Sequence, residues 1–363
     1  MKILIPIIGF GKAGGYRVLS ELANNWMNAG HHVDFLVDDR SDDPYFPTYA
    51  TILRFDRGGV TFPGAKKVTN AFFAPKGNAL SIYFGLLRAL QCIGSDYDVI
   101  LANHSLTTFP VALARTGLAK KFYYIQAYEP EYYELLKGKK AKILKWLSIV
   151  SYWLPLRQIA NAPIYLDYRG IRAIDWIPPG IDDAVFYRRT KSPTFRMSQE
   201  WTIGVVGRHE IAKGTQYALE AFEEIARTDP HVRLKVAFGN LPVGWIHERA
   251  DVVTPKSDTE LADFYRSVDI LLAPGTVQLG ACHYPVLEAM ACGTPVVTTG
   301  YLPADKENSW IVPIKDSKAI AEAVRKIRSL SNEEIDSITQ KAYESISSFY
   351  WRFVAQRFIK LLD

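Results

Sequence analysis

The apolar run Thr202-Ile203-Gly204-Val205-Val206 leads directly into Gly207-Arg208, and Lys213-Gly214 follows shortly after. The run has the composition of a buried parallel strand, and the apolar residues of Tyr217–Arg227 fall at helical spacing. The pattern therefore predicts a strand, a turn and a helix. Backbone N–H groups at the start of a helix favour an anion, so we expect Gly207, Arg208 and Lys213 to hold a diphosphate. The alternative is an ordinary solvated turn.

A second stretch predicts another helix start, His283-Tyr284-Pro285-Val286-Leu287-Glu288-Ala289-Met290-Ala291-Cys292-Gly293. Pro285 suits the first turn of a helix, and Glu288 lies about one turn further on. The Glu288 carboxylate suits the hydroxyls of a ribose, although an acid near a helix start also stabilises the helix dipole. Two cations and one carboxylate together predict a site for a nucleotide sugar.

The same order of strand and helix occurs in both halves of the chain, which predicts an α/β protein with parallel sheets covered on both faces. Pro178-Pro179-Gly180-Ile181-Asp182 has the composition of a linker. We therefore predict two Rossmann-like domains, 1–183 with about 347–363, and 184–346. The predicted strands are Lys2–Ile8, His32–Val37, Val99–Ala102, Phe122–Ile125, Thr202–Val206, Val232–Phe238, Asp269–Ala273 and Pro295–Thr298.

Composition narrows the class of protein. The chain has 363 residues, a net charge of +5 and three cysteines without metal-ligand spacing. This charge gives no reason to expect a nucleic-acid partner, and sparse cysteines fit a reduced, cytoplasmic compartment. The start, Met1–Pro6, is too short and too soon interrupted by glycine for a signal peptide. No uncharged run approaches the roughly 18 residues of a spanning helix.

Gly9-x-Gly11-x-x-Gly14 lies between a predicted strand and a predicted helix, and Asp38 and Asp39 end the next strand. This spacing matches the dinucleotide fingerprint, which leaves an NAD(P)-dependent oxidoreductase as one alternative. A second alternative is a tight turn without a ligand. We favour a loop whose backbone amides, at Gly14 and Gly15, contact the donor across a cleft.

Polar side chains follow two further strands of the first half. His104 follows one strand, and Gln126, Tyr128 and Glu129 follow another. Ligands bind at the carboxyl ends of such strands, so we expect these four residues to bind the acceptor. A structural histidine and a solvated loop are the alternatives. Asp96-Tyr97-Asp98 precedes a strand, so we interpret it as a turn and expect no metal site.

The segment Lys137–Leu154 places five lysines before Trp146, Trp153 and several aliphatic residues. Basic residues beside aromatic ones are typical of a helix at an anionic membrane surface. A core helix with a charged outer turn is the alternative. We therefore predict a cytoplasmic protein, with peripheral association at the inner face of the cell membrane as a further hypothesis.

With these residues in hand, the chain resembles GT-B glycosyltransferases of glycosyltransferase family 4. The resemblance rests on Gly14-Gly15, Pro179-Gly180-Ile181-Asp182, Gly207-Arg208, Lys213-Gly214 and Leu287–Val297, and on Trp351 at the start of a last helix. It implies two Rossmann-like domains facing across a cleft, with the last helix returning to the first domain. Gln126–Glu131 resembles rhamnosyltransferase-like members that build surface polysaccharides.

The resemblance implies a retaining, metal-independent transfer without a cofactor, from a nucleotide sugar to a glycan or lipid-linked glycan. Arg208 and Lys213 would hold the diphosphate, and Glu288 the ribose. The first Glu of the family's E-x7-E pair is replaced by Gly280, so backbone amides near Cys282, His283 and Tyr284 would contact the donor sugar. Another enzyme on this fold, an epimerase or phosphorylase, and a non-catalytic sugar-nucleotide-binding protein stay open.

Overall fold

The computed structural model describes residues 1–59, 61–63, 79–188 and 200–363. The chain packs as two compact units, Met1–Gly180 with Trp351–Asp363, and Ile181–Tyr350. The chain passes from one unit to the other at two points, after Gly180 and after Tyr350, and the predicted domain limits lie within a few residues of them. The first crossing falls in the proline- and glycine-rich stretch Pro178–Asp182. Each unit is described below by itself.

Within the described residues of the first unit, eight strands form one sheet in the order β4-β3-β2-β1-β5-β6-β7-β8. All neighbouring strands are parallel except β3 and β4. The strands are β1 Lys2–Pro6, β2 His32–Asp38, β3 Thr51–Phe55, β4 Thr61–Pro63, β5 Val99–Ala102, β6 Lys120–Ile125, β7 Arg157–Ala160 and β8 Ala173–Trp176.

Five helices lie between the strands of the described part of the first unit. Side chains of β1, β2 and β5 are almost completely buried, as expected for strands covered on both faces. The left-handed backbone of Gly30 (φ +86°) lies just after the first helix, where glycine is favoured. The helices are α1 Gly14–Asn28, α2 Ala79–Ile93, α3 Ser105–Leu113, α4 Glu129–Glu134 and α5 Lys139–Ser151.

The second unit contains a parallel sheet in the order β11-β10-β9-β12-β13-β14. Helices α6 and α9 pack in one apolar cluster with β9 and β10, and α7, α8 and α10 contribute to another. The strands are β9 Trp201–Val206, β10 Val232–Ala237, β11 Ala250–Val253, β12 Ile270–Ala273, β13 Val296–Thr298 and β14 Trp310–Ile311. The helices are α6 Thr215–Thr228, α7 Asp258–Ser267, α8 Tyr284–Ala291, α9 Ser317–Ser329 and α10 Asn332–Ser345.

The last helix, α11 Trp351–Leu362, belongs to the first unit. It packs against α1, where the indole N–H of Trp26 donates to the Ala355 carbonyl at 3.0 Å. A Cβ on Gly180 would lie 2.4 Å from the Trp351 ring, so only glycine fits beneath that side chain. This agrees with the return of the last helix that the resemblance implies.

Among the described residues, no helix is both long enough and apolar enough to cross a membrane.

Candidate functional site

The turn between β9 and α6 is shaped by two glycines. A Cβ on Gly207 would lie 1.6 Å from the Gly239 carbonyl oxygen, and one on Gly214 would lie 1.9 Å from that of Pro274. Gly214 also has the left-handed φ of +72°. Larger residues would push the turn away from its neighbours, so the glycines fix its path.

The Thr215 hydroxyl closes this turn at the start of α6. It accepts from the Arg208 N–H and donates to the Arg208 carbonyl, both at 3.0 Å. Thr215 is itself buried, so these bonds are protected from water. The predicted strand, turn and helix are therefore present, and the backbone at Arg208 is held to the helix start.

Arg208, Lys213, Thr215 and His283 line one small pocket at the carboxyl ends of β9 and β12. Lys213 is partly buried, and burial and the nearby Arg208 lower the pKa of its ammonium group, while Glu210 opposes them. Two cations that repel each other in a desolvated place favour an anion between them. The structure thus brings together the two residues predicted for a diphosphate.

His283 forms the N-terminal cap of α8 without a side-chain capping bond. Its ring packs beside the Tyr301 ring with centroids 4.8 Å apart. Burial, followed by Lys213 and Arg208, holds the pKa of His283 well below its usual value. The imidazole is therefore neutral at neutral pH in this pocket.

Glu288 lies inside α8 and is only 2% exposed. Its Oε2 accepts from the Tyr265 hydroxyl at 2.7 Å, and burial and this carboxylate raise the pKa of Tyr265 well above 10. The Thr294 hydroxyl donates to the Tyr265 carbonyl at 2.7 Å, which fixes the end of α7. Glu288 is therefore a buried, oriented carboxylate rather than an exposed acid near a helix start. Tyr265 and Thr294 carry no motif that points to this role.

Gly280, which replaces the first Glu of the family's E-x7-E pair, lies in the segment before α8. Gly280 has a left-handed φ of +87°, and its N–H donates to the Gly300 carbonyl at 2.8 Å. A glutamate in this conformation would be strained, which gives the glycine a local structural reason. Cys282 forms an isolated bridge with Leu302, and burial raises the pKa of its thiol. Neither Cys282 nor Tyr284 is among the residues that line the Arg208 pocket.

A second pocket, with a volume of about 410 Å³, lies in the first unit. It is formed where β1, β5 and β6 end, close to the start of α1. The predicted residues Gly15, His104, Gln126 and Glu129 all line it, together with Tyr16 and Tyr83, among others. Burial and Glu129 raise the pKa of Tyr83 to about 12, so its hydroxyl keeps its proton.

Glu129 and His104 are held together at the start of α3. The Glu129 carboxylate accepts from the Ser105 N–H at 2.9 Å and from the Ser105 hydroxyl. The His104 Nδ1 accepts from the Leu106 N–H at 3.2 Å, so Nε2 carries the ring proton, 3.5 Å from Glu129 Oε2. Ser105 was not predicted, because a buried serine carries no signal of its own.

Within this pocket the Gln126 amide lies against Gly15, where an added Cβ would be 3.1 Å from Oε1. Two predicted residues of the first unit, Gly14 and Tyr128, are placed elsewhere. Gly14 opens α1 but is not among the lining residues. Tyr128 also lies outside the lining set and packs in an aromatic cluster, stacked on Tyr152 at 5.5 Å.

The contacts of Asp38 at the end of β2 speak against a dinucleotide site at Gly9–Gly14. Asp38 is buried, and its carboxylate lies 2.8 Å from the Arg57 guanidinium. Its Oδ1 also accepts from the Arg40 N–H at 3.1 Å. A fingerprint carboxylate must be available to a ribose, and Asp38 is engaged within the fold. Asp98, of the predicted turn Asp96–Asp98, accepts from the Lys2 N–H at 2.7 Å.

Helix α5 exposes two of its large apolar side chains, Ile143 and Trp146, while the others are partly buried. Trp146 is 62% exposed and Trp153, just after the helix, is 58% exposed, while Ala141, Ser148 and Ser151 are buried. The core-helix interpretation is therefore wrong for both tryptophans. Lys145 pairs with Glu134 at 3.0 Å, and the exposed lysines are Lys137, Lys139, Lys140 and Lys142.

Comparison with solved structures identifies the fold. Sucrose-phosphate synthase from Thermosynechococcus elongatus aligns with a TM-score of 0.75 over 99% of this chain and 98% of its own, at 17% identity. An Anabaena protein, HepE, solved with UDP and glucose, aligns with a TM-score of 0.71 over 100% of this chain and 99% of its own, at 16% identity. The chain has the GT-B fold. The α/β class and GT-B prediction are thereby confirmed.

Sequence comparison finds a family match within the second unit. Residues 200–329 match the family described as glycosyl transferases group 1. A D-inositol 3-phosphate glycosyltransferase of Paenarthrobacter aurescens is 31% identical over 39% of this chain and 40% of its own length. Another, of Corynebacterium jeikeium, is 28% identical over 53% of this chain and 52% of its own length. The chain thus spans about half or less of these relatives.

Proposed function

We propose that the protein is a retaining glycosyltransferase of family 4 that moves a sugar from a nucleotide sugar to a glycan or lipid-linked glycan. The observation that carries this is the pocket where Arg208 and Lys213 meet beside the start of α8. It lies within residues 200–329, the stretch that matches glycosyl transferases group 1. The Anabaena neighbour was solved with UDP and glucose, which supports a nucleotide-sugar donor.

The chemistry follows from charge. When the nucleoside diphosphate leaves the sugar, negative charge grows on the β-phosphate. Arg208, Lys213 and the start of α8 stabilise that charge without a metal ion or cofactor, and one such donor is typically worth about 3 kcal/mol. Retention follows when the acceptor hydroxyl attacks from the face that the diphosphate leaves, with a phosphate oxygen taking its proton.

Glu288 holds the ribose of the donor in this proposal. The Tyr265 hydrogen bond fixes one carboxylate oxygen, so the group needs no reorientation when the ligand binds. The backbone near Gly280 and His283 contacts the donor sugar, where the family's first glutamate is missing.

The pocket of the first unit binds the acceptor. Tyr16 and Tyr83 give it aromatic walls, and Gln126, His104 and Glu129 give it donors and acceptors for sugar hydroxyls. No lysine or arginine is among the lining residues that the structure describes. This favours an uncharged sugar over a phosphorylated one, because a phosphate would meet Glu129 without a cation.

The α5 surface supports a cytoplasmic protein that binds reversibly to anionic membrane. We define the α5 surface as Lys137, Lys139, Lys140 and Lys142 with Ile143, Trp146 and Trp153. Its basic and apolar side chains are exposed together, which is the composition of an interfacial helix. Such a location suits a lipid-linked acceptor in surface-polysaccharide synthesis.

The test is release of nucleoside diphosphate from UDP-, GDP- and dTDP-sugars, with and without candidate acceptors. The proposal expects release that an uncharged glycan acceptor accelerates, with the anomeric configuration of the donor retained in the product. Binding of a nucleotide sugar without release under any acceptor would instead favour a non-catalytic sugar-nucleotide-binding protein. The glycine at position 280, in place of a donor-sugar ligand, is the observation that favours this second candidate.

A further inference from the structure

The His283 imidazole is a polar side chain in the diphosphate pocket that the proposed function leaves without a task. It lines the pocket together with Arg208 and Lys213. Its Nδ1 is buried and has no hydrogen-bond partner among the described residues. A buried nitrogen without a partner is costly, so a ligand that offers an acceptor to it is favoured.

The charged, titratable and aromatic groups around His283 lie on three segments. Arg208 and Lys213 approach from the turn between β9 and α6, with Glu210 acting on Lys213. The Tyr301 ring packs from the segment after β13. On its own segment, the Cys282 thiol is neutral and the Glu288 carboxylate accepts from Tyr265. The net electrostatic potential at His283 is therefore positive, and it disfavours protonation of the imidazole when no ligand is bound.

A diphosphate reverses this balance. It brings at least two negative charges next to Arg208 and Lys213, and its oxygens are acceptors for a protonated nitrogen. Both changes favour the imidazolium over the neutral ring. Without a ligand, burial first and then the two cations lower the pKa of His283, and the diphosphate that those cations attract offsets their share of this effect.

We propose that His283 is a third ligand of the donor's diphosphate, and that its imidazole takes up a proton from solvent as the diphosphate enters. This rests on the proposed diphosphate role of Arg208 and Lys213. The proton converts the ring to a cation that donates to a phosphate oxygen, and it returns to solvent when the nucleoside diphosphate leaves. Binding of the nucleoside diphosphate strengthens as the pH falls, by up to about tenfold per pH unit for the one proton involved.

The experiment is calorimetric titration of the full chain with inorganic pyrophosphate, and separately with UDP and GDP, from pH 6 to 9. Each titration is repeated in two buffers of different ionisation enthalpy, which gives the number of protons taken up. The variants are His283→Asn and His283→Gln, both neutral at every pH used. His209→Asn is the matched control, because His209 is exposed and adjacent to Arg208. Circular dichroism checks that each variant is folded.

The proposal expects the wild type and His209→Asn to take up more protons than either His283 variant, by as much as one per ligand. The ionisation of the ligand itself is common to all proteins and cancels in this difference. Equal proton uptake in the wild type and a folded His283 variant, or loss of uptake in His209→Asn, would overturn it. If Arg208→Ala binds pyrophosphate as the wild type does, the diphosphate site itself is wrong, which is a separate result.

Discussion

Arg208 and Lys213 place two positive charges beside one another in a partly desolvated pocket. We expect Arg208→Ala and Lys213→Ala each to lower turnover by about a hundredfold or more, since one lost donor to the transition-state charge costs about 3 kcal/mol. The fold should persist, because neither side chain belongs to the apolar clusters of the second unit. Steady-state release of nucleoside diphosphate measures the effect.

Lys318→Ala serves as the matched control for these two variants. Lys318 is exposed on α9 and lies outside the pocket, so its removal should leave turnover unchanged. Wild-type kinetics in either the Arg208 or the Lys213 variant would refute the diphosphate role.

Variants of the buried pair Glu288 and Tyr265 should affect nucleotide binding more than the chemical step. We expect Glu288→Gln to raise the dissociation constant for the nucleoside diphosphate more than it lowers turnover, because a ribose is held equally in the ground and transition states. Tyr265→Phe should weaken binding in the same direction, by roughly 1 kcal/mol, by loosening the carboxylate. Calorimetry and single-turnover rates give the two numbers. Unchanged nucleotide affinity in Glu288→Gln would leave the carboxylate a purely structural role.

At the residue scale, the sequence predicts those side chains that stand at strand ends and helix starts. Arg208, Lys213 and His104 are of this kind, because the alternation of strand and helix alone places each of them at the carboxyl edge of the sheet in its own unit. The contact of Tyr265 with Glu288 could not be predicted, since the two residues are 23 positions apart in the sequence and only the packing of α7 against α8 brings them together. Tyr128 follows a strand like its neighbours, but stacking on Tyr152 draws it into the aromatic cluster.

At the element scale, the apolar strands were predicted to within one or two residues at each end, as for Thr202–Val206 against Trp201–Val206. The capping box of Ser331 and Glu334 is visible in their spacing, and both of its hydrogen bonds form at the start of α10. The edge strand β4 and its neighbour β3 were missed, since strands at or next to an edge are less buried and lack the continuous apolar pattern.

Helix α5 shows what a pattern of spacing leaves open. Its small residues Ala141, Ser148 and Ser151 are buried, whereas Trp146 and, just after the helix, Trp153 are exposed, which is the reverse of the usual burial of large apolar residues. The sequence allowed both orientations, because the lysines come first and the aromatic and aliphatic residues follow, which suits a core helix with a charged outer turn as well as a surface helix. Only packing against the rest of the unit determines which face is buried.

We expect the α5 surface to bind anionic liposomes at low salt and to release them as salt rises. Each exposed lysine near such a surface contributes about 1 kcal/mol, and Trp146 and Trp153 suit the headgroup boundary. Lys145 should add little, because it pairs with Glu134. Flotation of the wild type is compared with a variant in which Lys137, Lys139, Lys140 and Lys142 are changed to Gln.

The matched control changes four exposed lysines of the second unit to Gln, Lys256, Lys306, Lys315 and Lys318. It removes the same total charge, so it should float like the wild type if location matters. Absence of the wild type from the floating fraction, or equal flotation of the α5 variant, would show that this surface does not bind membrane.

For the whole molecule, we expect activity to survive EDTA. Arg208 and Lys213 already supply positive charge where the leaving diphosphate develops its own, so a divalent cation would be redundant and repelled there. The measurement is turnover after EDTA treatment, with and without added magnesium or manganese. Loss of turnover that either metal restores would require a metal-dependent mechanism.

Ligand binding at the donor site should raise the unfolding temperature of the second unit first, because a ligand held by one compact unit stabilises that unit. We expect thermal unfolding to shift upward with UDP-, GDP- or dTDP-sugars, and one base to give the largest shift. At a ligand concentration about 100 times the dissociation constant, the gain is about 2.7 kcal/mol. Arg208→Ala should abolish the shift, and NADH should give none, because Asp38 is engaged by Arg57. A shift with NADH that survives in Arg208→Ala would instead place a dinucleotide at Gly9–Gly14 and reopen the oxidoreductase alternative.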